Sequence, residues 1–558
     1  MRSLRALGLY TVLTVALTWP LAANLRVMDA GDSAFFAWEI GWTVHALGTD
    51  PSRLPHANIF HPLRYTLGMD EPVLGTTLLV LPLAPFTDDA VLLYHLARLL
   101  TFLLTALTAY WLARELGTGE LPALIAGAAF AFSPIRTDQI AHLSTLGTQW
   151  LPLVVLFAVR FARTGRTVHA LLGALSFVLS ALACGYHGVF AVAVLPPALL
   201  VLVWGRWDRL PRAALALALA GLALLPLYLL HRAALDPERY ARGDEETVFY
   251  SASLESFLAT SSWNRLYGEW TDPFRTIGPN NLFPGLALPA LSAAGAVVLW
   301  RRRQRPSREA VALLVMALAA ALVAFGPRLR AFDHDLGPAP WALLREAVPV
   351  FRMVRVTSRA GIFLALSLAM LAAKGLAVLR LRPAATAGLG VIALAETLIV
   401  PIAIPEWTKI IDTHRPPPPV YRWLVEHPGP EAIVHLPMLD VRGLERRPAY
   451  HESIYMVYST LHWRPLVNGY AGIEPRRYVT LRAQAGEFPS EAFLDALRAI
   501  DVRFVIVHRK GYGPLQWARL QQRMARIPPG ALREVAVLEG ETVYELAPRS
   551  GGGTTPGS

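Results

Sequence analysis

The sequence predicts a polytopic α-helical membrane protein of about eleven transmembrane helices with a C-terminal α/β extracytoplasmic domain, and three observations predict it. The first is composition: 54% of the 558 residues are hydrophobic and only 17% are charged, against about 25% charged in an ordinary globular domain. The second is the presence of apolar runs such as Ala213–Leu230 and Ala310–Phe325, uncharged over nearly the length a bilayer demands. The third is a change of texture after the run Pro416-Pro417-Pro418-Pro419, where short β-type stretches begin to alternate with helical patterns.

A net charge of +11 accompanies this composition, but the basic residues sit in short clusters between apolar runs. That is the pattern of membrane topology and not of a nucleic-acid footprint, so no nucleic-acid partner is expected. Cys184 is the lone cysteine, which excludes an intrachain disulfide framework and a thiolate metal site.

Apolar segments lie near 6–25, 90–113, 121–134, 147–162, 168–184, 188–204, 212–231, 284–300, 309–325, 359–379 and 384–404. The first follows Arg2 and Arg5 and is read as an uncleaved signal-anchor, although Ala22-Ala23-Asn24 loosely resembles a cleavage site. Val73–Phe86 is too short to cross and contains Pro82 and Pro85, so it is read as re-entrant or interfacial. With the N-terminus inside, the clusters at Arg114, Arg160/Arg163/Arg166, Arg206/Arg209/Arg212, Arg301–Arg308 and Arg380/Arg382 all fall on the cytoplasmic side. Residues 1–404 then form the membrane domain, with outer loops 26–72, 133–146, 232–283 and 326–358. Residues 405–419 read as a stiff proline-rich linker, 420–548 as the extracytoplasmic α/β domain and 549–558 as a disordered tail. Long outer loops and brief cytoplasmic turns place function on the outer face.

The first outer loop opens with Asp29-Ala30-Gly31-Asp32 and runs into a helical pattern with Phe35, Trp38 and Trp42 on one face. An interfacial helix fits, with its aromatics toward lipid or core. Asp32 or Ser33 is a natural cap for it, and two carboxylates at the membrane surface are equally suited to take a proton from an acceptor hydroxyl. Phe351–Arg359 places Arg352, Arg355 and Arg359 on the outer side against the usual bias. They can snorkel to headgroups or grip phosphate oxygens. Arg64, Arg98 and Arg136 are lesser candidates for the same work, and Glu71 is either a substrate contact or a solvated loop acid. His142 lies four residues after Asp138. It can position a substrate, hydrogen-bond a carbonyl or pair with an acid at a metal, but no ligand spacing marks a metal site, and no cofactor is expected beyond an unindicated divalent cation. The aromatic stretch Tyr450, Tyr455, Tyr458, Trp463 and Tyr470 is suited to core packing or to sugar stacking.

One outer acid after the first span, interfacial helices before the second, a second acid after the third and an outer C-terminal domain together resemble the GT-C glycosyltransferases. Protein O-mannosyltransferases and aminoarabinose transferases share that plan. The resemblance implies a polyprenyl-phosphate sugar donor, a cell-envelope acceptor and an inverting displacement on the outer face of a bacterial-type inner membrane. By it, Asp29 or Asp32 matches the first-loop catalytic acid, and Asp138 in Pro134-Ile135-Arg136-Thr137-Asp138 matches the acid after the third span. Gly31-Asp32-Ser33, Asn58-Ile59-Phe60-His61-Pro62 and Asn468-Gly469-Tyr470 also resemble a group of bacterial membrane proteins attached to that superfamily. The chain departs from better-known members at Gln139-Ile140-Ala141-His142 and in the long insert 232–283, so the acceptor stays open. Two other classes stay open beside the transferase, a lipid-linked saccharide transporter or flippase and a non-catalytic scaffold. A transporter would concentrate ionisable groups at mid-span, where Arg98 and Glu396 are the chief candidates.

Overall fold

A computed structural model describes residues 2–235, 244–332, 334–401, 411–439 and 452–548. Part of the outer insert, most of the first half of the linker, Tyr450 and the C-terminal tail lie outside the described residues.

Each of the eleven apolar segments forms a helix. They are α1 (Arg2–Leu17), α3 (Ala90–Glu115), α4 (Glu120–Ala131), α5 (Leu151–Thr164), α6 (Thr167–Ala183), α7 (Gly185–Val203), α8 (Leu210–Leu235), α9 (Ala287–Arg301), α10 (Arg308–Ala324), α11 (Gly361–Leu379) and α12 (Pro383–Ala395), with the first-loop helix α2 (Asp32–Thr49) between the first two. Among the described residues, five helical stretches are long and apolar enough to cross a membrane, namely Ala90–Glu115, Leu143–Thr164, Gly185–Val203, Trp207–Leu235 and Thr357–Leu379. Val73–Phe86 forms only a single turn at Leu74–Thr77 and a 3-10 turn at Leu81–Leu83, because its prolines interrupt the helical ladder.

Local chemistry sets the ends. Asp89 caps α3 by accepting from the amides of Val91 and Leu92, both at 3.0 Å, and Ser307 caps α10 through Ala310 at 3.2 Å. Gly165 closes α5 with φ of 67°, a conformation that favours glycine. Small residues let the helices approach closely: a Cβ added at Gly295 would overlap the Gly375 backbone, and one at Gly127 would overlap the Ala106 carbonyl and the Tyr10 hydroxyl. The exception is α8, of which 11% is buried over its apolar window against 56–72% in the other four stretches.

After the membrane helices come α13 (Pro419–Glu426), β1 (Ala432–Leu436), α14 (Glu452–Ser459), α15 (Arg476–Ala485), α16 (Glu491–Arg498), β2 (Val502–His508), α17 (Pro514–Met524), β3 (Leu532–Leu538) and β4 (Glu541–Leu546). The sheet order is β1-β2-β4-β3, with β1 parallel to β2 and the remaining pairs antiparallel. Every residue of β1 is buried, which accounts for its unbroken apolar reading around His435.

This region shares one apolar core with α2 and the rest of the first loop. Phe35, Trp38, Trp42 and Phe60 belong to the same buried cluster as Val434, Leu494 and Ile506. Backbone bonds reinforce the joint: Val27–Met28 pairs antiparallel with Ile411–Asp412, Asn58 accepts from the Leu466 amide at 2.8 Å, and His61 donates to the Leu466 carbonyl at 2.8 Å.

Candidate active site

Asp32 owes its place to the start of α2. Gly31, with φ of 87°, turns the chain into the helix and donates its amide to Ser453 at 2.8 Å. Asp32 is therefore the first residue of a helix, where the dipole favours an anion. The aromatic face of α2 looks into protein and not lipid: Trp38 donates to Asn58 Oδ1 and Trp42 to the Leu54 carbonyl, each at 3.0 Å, while Phe35 meets Tyr470 edge-on. The Asp32 carboxylate stands with Oδ2 2.9 Å from His142 Nε2, and its Oδ1 accepts the Tyr470 hydroxyl at 2.7 Å. Burial pushes Asp32 up, but the hydrogen bond and charge of His142, the Tyr470 hydroxyl and the charge of Arg359 outweigh it and hold the carboxyl well below its ordinary range.

Asp32 opens onto a cavity of about 930 Å³. Its lining includes the polar residues Asp32, Asp70, Glu71, His142 and Tyr470 and the arginines Arg345, Arg352, Arg355 and Arg359. Helices α6, α7 and α8 contribute Phe177, Val189, Val192, Leu224, Leu227 and Tyr228. Arg355 lies over the Tyr250 ring at 5.0 Å and 3.5 Å from Glu246, Arg359 lies over the Tyr186 ring at 5.0 Å, and Arg345 pairs with Asp244. Arg352 sits exposed at the rim and donates to the Arg345 carbonyl at 3.2 Å. Glu71 accepts the Cys184 thiol at 3.2 Å, and burial, opposed by the Arg359 charge and reinforced by Asp70, pushes its carboxyl up to about 7. Burial likewise pushes Asp70 up, against hydrogen bonds from the Glu71 amide at 2.7 Å and the Gly472 amide at 2.5 Å.

Other residues singled out in the sequence stand elsewhere. Asp138 does not line the cavity: Asn281, from the long outer insert, donates to its Oδ2 at 2.7 Å, and burial pushes its carboxyl up. His142 is the link between the two acids, bonded to Asp32 and bearing on Asp138 through its charge. Asp29 also stands outside the cavity lining, with the Ser33 hydroxyl as a partner and burial pushing its carboxyl up. Arg136 is fully buried, lies 4.4 Å over the Phe102 ring and donates to Thr148 at 2.9 Å and the Leu146 carbonyl at 2.8 Å, which makes it a fastener of the segment between α4 and α5. Arg64 is exposed beside Tyr65, and Arg98 is occupied by His95 and Tyr94. Glu396 sits at the C-terminal end of α12, where it accepts the Tyr267 hydroxyl at 2.7 Å and the Ala287 amide at 2.9 Å. Of the aromatic stretch, Tyr458 stacks on Tyr421, Tyr455 on His435 and Trp463 on His45, and Tyr470 reaches the cavity.

Sequence reasoning left out Asp70 and Arg345 and gave Tyr470 no bond to an acid. The available signals were the adjacent acids Asp70-Glu71 and the motif Asn468-Gly469-Tyr470, which the structure packs against Asn58–His61: the Phe60 amide donates to the Asn468 carbonyl at 3.2 Å, and a Cβ on Gly469 would come within 2.6 Å of the Phe60 ring. Among the described residues no group of three or more His, Cys, Asp or Glu side chains forms a metal-ligand set.

A family model described as a domain of unknown function (DUF6311) matches residues 58–399. No curated protein matches the sequence. Among solved structures, the chain is similar to the archaeal oligosaccharyltransferase AglB from Archaeoglobus fulgidus, in complex with an inhibitory peptide and a dolichol-phosphate. That match has 12% identity and a TM-score of 0.53, and covers 91% of this chain and 69% of that one. The Archaeoglobus fulgidus oligosaccharyltransferase tethered to an acceptor peptide matches at 15% identity and a TM-score of 0.51, over 90% and 68%. ArnT from Cupriavidus metallidurans in the apo state matches at 13% identity and a TM-score of 0.41, over 96% and 97%. The chain has the fold of the GT-C membrane glycosyltransferases and is a multi-pass membrane protein.

Proposed function

We propose that this chain, which belongs to the family described as a domain of unknown function (DUF6311), is a glycosyltransferase that moves a sugar from a polyprenyl-phosphate donor to a cell-envelope acceptor. The observation that carries the reading is the cavity itself, whose lining combines a carboxylate held ionised, four arginines and apolar side chains of α6, α7 and α8. A lipid-phosphate sugar has the same three parts: an isoprenoid tail suited to α6, α7 and α8, a phosphate suited to guanidinium forks, and a sugar left near Asp32.

In this reading an acceptor hydroxyl attacks the anomeric carbon from the face opposite the phosphate. Asp32 takes the hydroxyl proton as the carbon–oxygen bond to the acceptor forms. The bond from the anomeric carbon to the phosphate oxygen breaks, and the lipid phosphate departs with both electrons into the field of Arg355 and Arg359. The configuration inverts. Asp138 acts at one remove, through His142. Eleven crossings, a cytoplasmic N-terminus and an outer-face C-terminal domain over 420–548, reached through the linker 405–419, complete the proposal. They rest on the basic clusters between spans.

The test is transfer of radiolabelled sugar from lipid-phosphate donors in proteoliposomes, comparing the unaltered chain with Asp29→Asn, Asp32→Asn and Asp138→Asn. Loss in Asp32→Asn with partial loss in Asp138→Asn is expected, and an unchanged rate in Asp32→Asn overturns the mechanism.

A further inference from the structure

Asp32, one of the acids that line the cavity, is held by two distant parts of the chain. His142 comes from the second outer loop and Tyr470 from a segment 438 residues distant in sequence. A carboxylate offers about four lone-pair positions, and these two donors occupy one on each oxygen, so acceptance of a further proton remains open on a carboxylate that cannot rotate. Arg359, Asp70 and Asp29 also bear on Asp32 through their charges.

Tyr470 is fixed more firmly than its extended backbone would require. Two residues before it, Asn468 accepts the His435 amide at 2.7 Å and donates to the His435 carbonyl at 3.0 Å and to Glu452 at 2.8 Å, all fully buried. One residue before it, Gly469 lies flat on Phe60. Two residues after it, the Gly472 amide donates to Asp70 at 2.5 Å. The segment is thus anchored to the sheet at one end and to the first loop at the other, with the phenol between. That phenol remains a donor throughout the working range, because burial and the Asp32 charge push its own ionisation far up.

We infer that Tyr470 is a positioning residue for Asp32: the segment Asn468–Gly472 aims the carboxylate at the acceptor, so the C-terminal region completes the site. The inference rests on the reading of Asp32 as the base. It gives Tyr470 no contact with the reacting atoms.

The test reads the carboxylate directly as well as through turnover. In the full chain in lipid nanodiscs, the infrared carboxyl band of Asp32, identified as the difference against Asp32→Asn, is titrated in the unaltered chain, in Tyr470→Phe and in Tyr512→Phe, a distant tyrosine of the same region. Tyr470→Phe should make Asp32 protonate about one pH unit higher, and Tyr512→Phe should leave it in place. With a lipid-phosphate sugar as probe, Tyr470→Phe should lower kcat about tenfold with donor KM within about twofold, and should move the acid limb of the rate profile upward with the titration. Gly469→Ala, which keeps the phenol but pushes its backbone off Phe60, should shift Asp32 in the same direction and serves if Tyr470→Phe does not fold. An Asp32 titration unmoved in the folded variants overturns the inference even if Asp32→Asn abolishes transfer. A moved titration with transfer untouched by Asp32→Asn keeps the contact and overturns the base.

Discussion

Between α9 and α11 the chain packs glycine on glycine, and between α2 and the C-terminal strands it packs tryptophan, tyrosine and asparagine. Gly295 and Gly375 bring two backbones so close that neither position admits a Cβ, which is how helices associate where lipid supplies no hydrophobic drive. The joint between α2 and the C-terminal region instead buries Trp38, Trp42 and Phe60, large aromatic side chains whose burial from water is favourable in its own right. It also closes its polar groups internally, through Asn58 and Asn468. The difference teaches where chemistry can be built. A seam of small residues fixes distance but offers no functional groups, while a polar, aromatic core can aim a carboxylate.

The largest effect that would sharpen this division is functional. Asp32→Asn should reduce transfer about 10²- to 10⁴-fold while thermal unfolding in detergent is unchanged, because the amide keeps a partner in Tyr470. A matching fall in melting temperature would instead make Asp32 structural. Next comes the membrane seam. Gly375→Leu should cost about 3 kcal/mol or more of stability, since even the first added carbon overlaps the Leu291 carbonyl. Survival of that variant at full stability would break the claim that close approach holds the helices.

Smaller again is the outer seam. Asn468→Ala strands the His435 amide and the Glu452 carboxyl in the interior, and should cost about 2 kcal/mol, measured by the same unfolding. The smallest effect is one of pH. Burial pushes the Glu452 carboxyl from an ordinary 4.5 up to about 8. Between those values the folded chain keeps a proton that the unfolded chain has lost, so stability falls as pH rises through that window. Glu452→Gln should flatten the fall, seen by comparing melting temperatures at about pH 5 and about pH 8. An unchanged slope would show that Glu452 ionises without penalty.

The apolar helices were legible because each apolar run is bounded by arginine, proline or glycine, signals contained within a few residues. The four strands were legible for a similar local reason, as short apolar runs after a proline stretch. Helices α14 and α15 went unread, since Tyr-rich and Arg-rich segments lack a clean apolar stripe. Of the residues singled out, Asp32, Arg352, Arg355 and Arg359 line the cavity, and the signals that picked them out were local: an acid just after an apolar run, and arginines just before one. Tyr470 was not legible in this way, because its bond to Asp32 spans the whole length of the fold. Asp138 and Arg136 stand outside the cavity lining, and the partners that hold them, Asn281 in one case and Thr148 in the other, could not be named from the sequence.

The core shared by the first loop and the C-terminal region has a consequence for how the chain is made. Asn58 finds its partner at Arg464, 406 residues downstream, so the aromatic face of α2 emerges from the ribosome hundreds of residues before the strands that will cover it. Until those strands arrive, Trp38, Trp42 and Phe60 are covered only by the rest of the first loop and by α3. Late closure of so distant a contact is slow. A chain halted before residue 460 would therefore present to the quality-control machinery an inserted bundle with its first loop still bare.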